Sequence, residues 1–301
     1  MPRVASGLTG LDSVLLLQLA ANGLSVGLGY ALAAVGLALV FGILEQVNFA
    51  HGEIYMVGAF SLYAFAKLAG LSYPVAFVLT LAVMAALGWA LAEVAFIPTL
   101  DRPFEAVILA TFALSVILQN AARLVFGASP QQVEAPLDAF VLDVGGVLFF
   151  GQRLFVVAVV LVAFCGLAAF LRMTTTGRAM RAVAQNKDAA VMVGIDIRRI
   201  TRITATLGAV LTGLAACAIA PLFDLYPNMG TDVVFKSFAV VIIGGMGNIA
   251  GSIVAGSLLG LAESFAGGLV NTAGRDGIGF ALMIVMLLVR PQGLFGKSVR
   301  V

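Results

Sequence analysis

Charge is scarce in this chain. Only 11% of its 301 residues are Asp, Glu, Lys or Arg, against about 25% in soluble domains. The formal net charge of +2 is too small for nucleic-acid binding, which needs a row of cations against the phosphates. A single histidine, His51, excludes a His-rich metal site. The two cysteines, Cys165 and Cys217, both lie in apolar segments and read as small core residues, neither a disulfide nor a metal pair. Catalytic signatures are missing as well. There is no GxSxG, HExxH or CxxC pattern, and no catalytic pair supports an enzyme. Gly296-Lys297-Ser298 looks like the end of a nucleotide-binding loop, but Pro291 stands where its first glycine belongs. The expectation is a chain that binds no metal or cofactor of its own.

What is abundant is apolar sequence: 61% hydrophobic residues and a mean hydropathy of +1.09. These values predict an all-α, polytopic transmembrane helical bundle of about 8–10 passes, forming a single domain over residues 1–301. The apolar run after Asp12 is too long for a signal peptide and lacks its cleavage site, so it reads as a retained span. Residues 14–44 would make a helix of about 45 Å, long for one span and short for two. Two short spans meeting around Gly23, Gly27 and Gly29 are the preferred reading, with one tilted helix as the alternative. Further spans are expected over 54–71, 74–97, 104–126, 154–171, 203–223, 238–261, 258–270 and 278–289.

Charge sign sorts the loops. Residues 172–202 carry Arg172, Arg178, Arg181, Lys187, Arg198, Arg199 and Arg202, seven of the chain's 17 basic residues, against Asp188 and Asp196 alone. Basic loops resist translocation, so this loop faces the cytosol, and so does the tail with Arg290, Lys297 and Arg300. Its good helix formers predict an amphipathic helix with Met180, Ala182, Ala189 and Val193 on an apolar stripe. Such a helix is either a topogenic loop or a docking element for a cytosolic partner. Residues 127–146 carry Glu134, Asp138 and Asp143 and no base, and are placed outside. Residues 140–149 read as a hairpin around Gly145-Gly146.

Two polar islands interrupt the apolar runs. The first contains Asn48, His51 and Glu53. A charge at mid-bilayer costs about 2.5–3.5 kcal/mol on insertion scales, so Glu53 is either an interfacial helix cap beside Asn48 or part of a pathway. The second is Gly244-Gly245-Met246-Gly247-Asn248-Ile249-Ala250-Gly251, a broken-helix pattern of the kind that flanks transport paths. One island in each half of the chain suggests two weak structural repeats with the islands in matching places. The 34 glycines include pairs at four-residue spacing, Gly23 and Gly27, Gly247 and Gly251, Gly256 and Gly260, which let helix backbones approach closely.

Taken in order, the segments 48–56 (NFAHGEIYM), 176–182 (TGRAMRA), Gly194-Ile195, 241–251 (VIIGGMGNIAG) and the closing RPQGLFG resemble the LivH-type permeases of branched-chain amino acid ABC importers over nearly the whole chain. The resemblance implies a multi-pass protein of the bacterial inner membrane working with a second, LivM-like permease, two cytosolic ATPase subunits that use ATP-Mg, and an external solute-binding protein. It places a coupling helix in the basic loop, with Arg178, Arg181, Gln185, Asn186, Asp188 and Gly194 against an ATPase. Asn48, His51, Glu53, Gly244, Gly245, Gly247 and Asn248 are then expected to line or gate a path that alternates its opening. Permeases for urea, short-chain amides or aromatic acids share this pattern. An ATPase-independent channel or secondary carrier is the alternative of another class.

Overall fold

The computed structural model describes residues 2–269 and 275–296, with side chains for 13–269 and 277–296. The helices are α1 (Pro2–Leu44), α2 (His51–Tyr63), α3 (Tyr73–Leu91), α4 (Phe104–Phe126), α5 (Gly151–Met173), α6 (Thr175–Gln185), α7 (Lys187–Met192), α8 (Ile197–Ile219), α9 (Met229–Gly244), α10 (Ile249–Leu269) and α11 (Arg275–Val289). Two of them run on into π-helical turns, α2 through Ala64–Leu68 and α3 through Ala92–Phe96. A short hairpin, β1 (Val141–Val144) and β2 (Val147–Phe150), forms around Gly145-Gly146 where the alternation predicts it. Six helical segments among the described residues are long and apolar enough to cross a membrane.

The structure differs from the sequence reading in three places. First, α1 is one unbroken helix, not two short spans. Its polar residues are bonded: Gln18 Nε2 donates to Asn22 Oδ1 one turn on (3.1 Å) and to the Leu148 carbonyl of the hairpin (2.9 Å). Its glycines are packing sites, since a Cβ on Gly27 would meet the Gly256 carbonyl at 2.6 Å. Second, the chain breaks at residues 245–248, as the glycine island predicts, but the flanking helices run over Met229–Gly244 and Ile249–Leu269 instead of 238–261 and 258–270. Third, the basic loop holds two helices, α6 and α7, broken at Asn186. Val193 therefore does not share a stripe with Met180: Met180 is buried, while Val193 is 77% exposed. Val270, Lys297 and Arg300, used in the sequence reading, lie outside the described residues.

The helices fall into two sets of opposite direction. A 3₁₀ turn, Ala220–Leu222, closes the helical run of α8, and one interval in the numbering separates Leu44 from Leu222, His51 from Met229 and Leu91 from Leu269, so α1–α2–α3 and α8–α9–α10 end and begin in register. α1 runs from the hairpin end to the basic-loop end, and α8 runs back. α1 packs along α10 as α8 packs along α3, and α1 and α8 cross at the centre. At that crossing a Cβ on Gly36 would lie 2.7 Å from the Gly208 carbonyl. This is an inverted repeat of the transporter type. It corrects the sequence-based matching of the islands: residues 45–53 correspond to 223–231, not to the glycine turn.

Candidate functional site

Residues 45–50, after α1, are not helical, and α2 begins inside the protein. His51 Nε2 bonds the Ala33 carbonyl at 2.9 Å, with Thr212 Oγ1 of α8 at 3.4 Å. Ala33 lies eleven residues before the end of α1, or about 16 Å at 1.5 Å per residue, so α2 starts near mid-depth. Asn48 Oδ1 accepts from the Ala50 N–H (3.0 Å), and the Phe49 N–H donates to Thr111 Oγ1 of α4 (3.2 Å). Polar side chains thus satisfy this irregular backbone, as the bilayer requires. Asn48, His51 and Glu53 are all buried.

The matching segment 223–228 enters from the opposite end. It is tied there by the Gln131–Leu225 bridge, and Arg123 Nη2 donates to Asn228 Oδ1 at 2.7 Å. The first turns of α2 and α9 then meet backbone to backbone. A Cβ on Gly52 would overlap the Gly230 carbonyl, and one on Gly230 would lie 2.8 Å from the Gly52 carbonyl carbon. Neither helix has a side-chain N-cap. Two half-helix N-termini converge within the bundle, and sequence reasoning had named only one of them. The signal for the other is Gly230, the glycine before Thr231.

The glycine turn lies at the basic-loop end. Gly245 and Gly247 have φ of +103° and +76°, in the left-handed region that favours glycine. Gly247 packs on Gly42 near the end of α1, and Gly244 on Gly251. Asn248 Oδ1 caps α10 through the Gly251 N–H (2.9 Å), and its Nδ2 donates to the Phe295 carbonyl (2.9 Å). The N–H groups of Leu294 and Phe295 donate to the carbonyls of Ile243 and Gly244, clamping the tail over the turn.

At the same end, α6, α7 and α8 are N-capped by Thr174, Asn186 and Asp196. Arg178, Arg181, Gln185, Asn186, Asp188 and Gly194 are exposed, while Met180, Val183, Ala190 and Ile200 anchor the loop on the bundle. Two bonds brace it against α3 and the turn after it: Arg202 to Glu93, and Lys187 Nζ to the Leu100 carbonyl (3.3 Å). α7 ends in a bare apolar knob, with Val191, Met192 and Val193 at 53, 88 and 77% exposure. These residues are absent from the sequence-predicted coupling set, because only the break at Asn186 turns them outward.

A separate ion pair is buried among α1, α9 and α10. Lys236 Nζ lies 3.1 Å from Glu263 Oε2 and 3.2 Å from the Tyr30 hydroxyl, over whose ring it also sits. No group of three or more His, Cys, Asp or Glu able to hold a metal ion occurs among the described residues.

A helical membrane bundle of two inverted repeats, with half-helices meeting at mid-depth, belongs to the class of membrane permeases. Residues 19–287 match the family described as "Branched-chain amino acid transport system / permease component", and the chain belongs to that family. It is 32% identical over 294 residues to the high-affinity branched-chain amino acid transport system permease protein BraD of Pseudomonas aeruginosa, covering 93% of this chain and 96% of that protein. It is 30% identical over 295 residues to LivH of Escherichia coli K12, with the same coverage. It is 29% identical over 286 residues to a probable LivH of Methanocaldococcus jannaschii, covering 88% of each. Among solved structures, PsaBC from Streptococcus pneumoniae in complex with Fab matches with a TM-score of 0.50 at 12% identity, covering 97% of this chain and 98% of that one; this likeness concerns the fold alone.

Proposed function

We propose that this chain is a membrane-spanning subunit of an ATP-driven importer that moves branched-chain amino acids into the cytoplasm of a bacterial cell. The observation that carries the reading is the platform at the basic-loop end. There, three capped helices present cations and an apolar knob outward while bracing themselves against α3 and the turn that follows it. Hydrolysis belongs to two ATPase subunits, one of which seats Arg178, Arg181, Gln185, Asn186, Asp188, Gly194 and the knob. A second permease subunit completes the path, and an external binding protein delivers the substrate at the hairpin end. Closure of the ATPase pair pushes the platform. The push passes through α8 to the α1–α8 crossing, and the ends of the bundle open in alternation. The substrate is not chemically altered.

The test is reconstitution of the chain with its co-purifying partners in proteoliposomes. The expected result is ATP-dependent leucine uptake that stops when the ATPase subunits are omitted. Uptake that persists without them identifies a channel or secondary carrier. ATP-dependent uptake of urea, an amide or an aromatic acid in place of leucine overturns the substrate assignment.

A further inference from the structure

The first island leaves one group unexplained. Glu53 is 2% exposed, near mid-depth, and its Oε2 has no hydrogen-bond partner. A buried carboxylate oxygen without a partner loses its hydration with nothing in exchange, which is costly. Its position in the first turn of α2 favours an acid through the helix dipole, but the inverted repeat shows that the architecture does not demand one. The residue in the corresponding place on α9 is Thr231. The acid in the first turn of α9, Asp232, is exposed and accepts from the Tyr226 hydroxyl at 2.6 Å. A half-helix can therefore begin at this depth without a buried carboxylate, and Glu53 is extra to the fold.

The surroundings of Glu53 give its oxygen a direction. On one side is α4, whose Thr111 holds the Phe49 N–H at 3.2 Å. On the other side the α2 backbone touches α9 at Gly52 and Gly230. The N-terminus of α9 is a positive pole, its N-cap residue Asn228 is gripped by Arg123, and its first-turn acid, Asp232, is engaged by the Tyr226 hydroxyl. Glu53 on α2 thus follows directly on the backbone contact with the N-terminus of α9. The irregular segment 45–50 approaches the meeting point from the basic-loop end and 223–228 from the hairpin end. A group with one positive and one negative charge a few ångströms apart is the complement of this arrangement.

We propose that Glu53 receives the ammonium group of a zwitterionic amino acid where α2 and α9 meet, with the substrate carboxylate directed to the first turn of α9. The inference rests on the importer reading above and names the substrate-reading atom within it. In this conformation α4 covers Glu53, so the contact forms when α4 and the α2–α9 junction separate during transport.

The experiment uses the assembled transporter in proteoliposomes and a hydrophobic carbodiimide, with mass spectrometry reading modification at Glu53. Leucine during turnover should slow labelling about tenfold, the effect expected of one charge-assisted contact. 4-Methylpentanoate, which is leucine without its amine, should not. Labelling that is equally fast with saturating leucine overturns the proposal. If Glu53 resists labelling, the variants decide. E53Q should raise the KM for leucine about tenfold and E53D should recover most of it, while inhibition by 4-methylpentanoate stays the same. An unchanged KM in E53Q overturns the proposal. A wild-type complex that takes up no leucine sinks the importer reading first. Uptake with neither protection nor a KM effect sinks this inference alone.

Discussion

Lys236 Nζ on α9 lies 3.1 Å from Glu263 Oε2 on α10, and the Glu263 side chain has no exposed surface. Taking two charges out of water costs several kcal/mol for each ion, and their mutual attraction repays this only in good geometry. The Tyr30 hydroxyl and ring supply part of that geometry from α1. One polar cluster therefore holds three helices together. Lys236→Met should destabilise the protein by about 3–5 kcal/mol, because it leaves Glu263 buried without its lysine. The double variant Lys236→Met with Glu263→Leu should recover most of that loss. Thermal unfolding of the purified protein in detergent checks both, and a double variant no better than the single would remove the ion pair from the account.

Close helix packing predicts opposite outcomes at two glycines. A Cβ on Gly256 would lie 2.7 Å from the Cα and Cβ of Ala31, whereas one on Gly166 of α5 meets nothing within 4 Å. Gly256→Val should cost about 1–3 kcal/mol through overpacking between α1 and α10. Gly166→Ala should be neutral or stabilising by about 0.4–1 kcal/mol. The same melting experiment reads both, and equal effects would contradict the packing.

Gly247 combines two constraints, a φ of +76° and the Cα of Gly42 2.9 Å from where its Cβ would be. Gly247→Leu adds about 1–2 kcal/mol of backbone strain and pushes the turn off α1. Uptake should fall in cells that still insert the chain in the membrane. Full activity would argue that the turn's fit against α1 is immaterial.

Arg181 is exposed on α6 and takes part in none of the bonds that brace the loop. Arg181→Glu should therefore leave insertion and folding intact while abolishing co-purification of the ATPase subunits and ATP-dependent uptake. Met192→Asp should do the same through the apolar knob. Normal uptake in both variants would detach the platform from the motor.

Sidedness is open to direct measurement. With Cys165 and Cys217 replaced by Ala, an impermeant maleimide should label Asp143→Cys in intact cells and Asp188→Cys only after permeabilisation. The reverse pattern would invert the molecule and overturn the import direction.

Composition and the positions of the basic residues already determined much of this protein. The long apolar runs require helices, because a bilayer offers no partner to an unpaired backbone group. The bounds of α4, the Gly145-Gly146 hairpin and the helical nature of the cationic loop are all written in local pattern. Local pattern also misled. The glycines of α1 look like helix breakers, yet they are contact points with α10, a fact that depends on a partner more than 200 residues away. Gly52 and Gly230 show the limit most clearly. Gly52 sits in the first polar island and Gly230 in a polar stretch far along the chain, and only the antiparallel packing of the two repeats brings their backbones together at mid-depth. Which segments leave water is legible in the sequence, since it follows from each segment's own transfer energy. Which half-helices meet, and where a buried carboxylate is left over, depends on how distant segments pack against one another, and that is decided only in the tertiary structure.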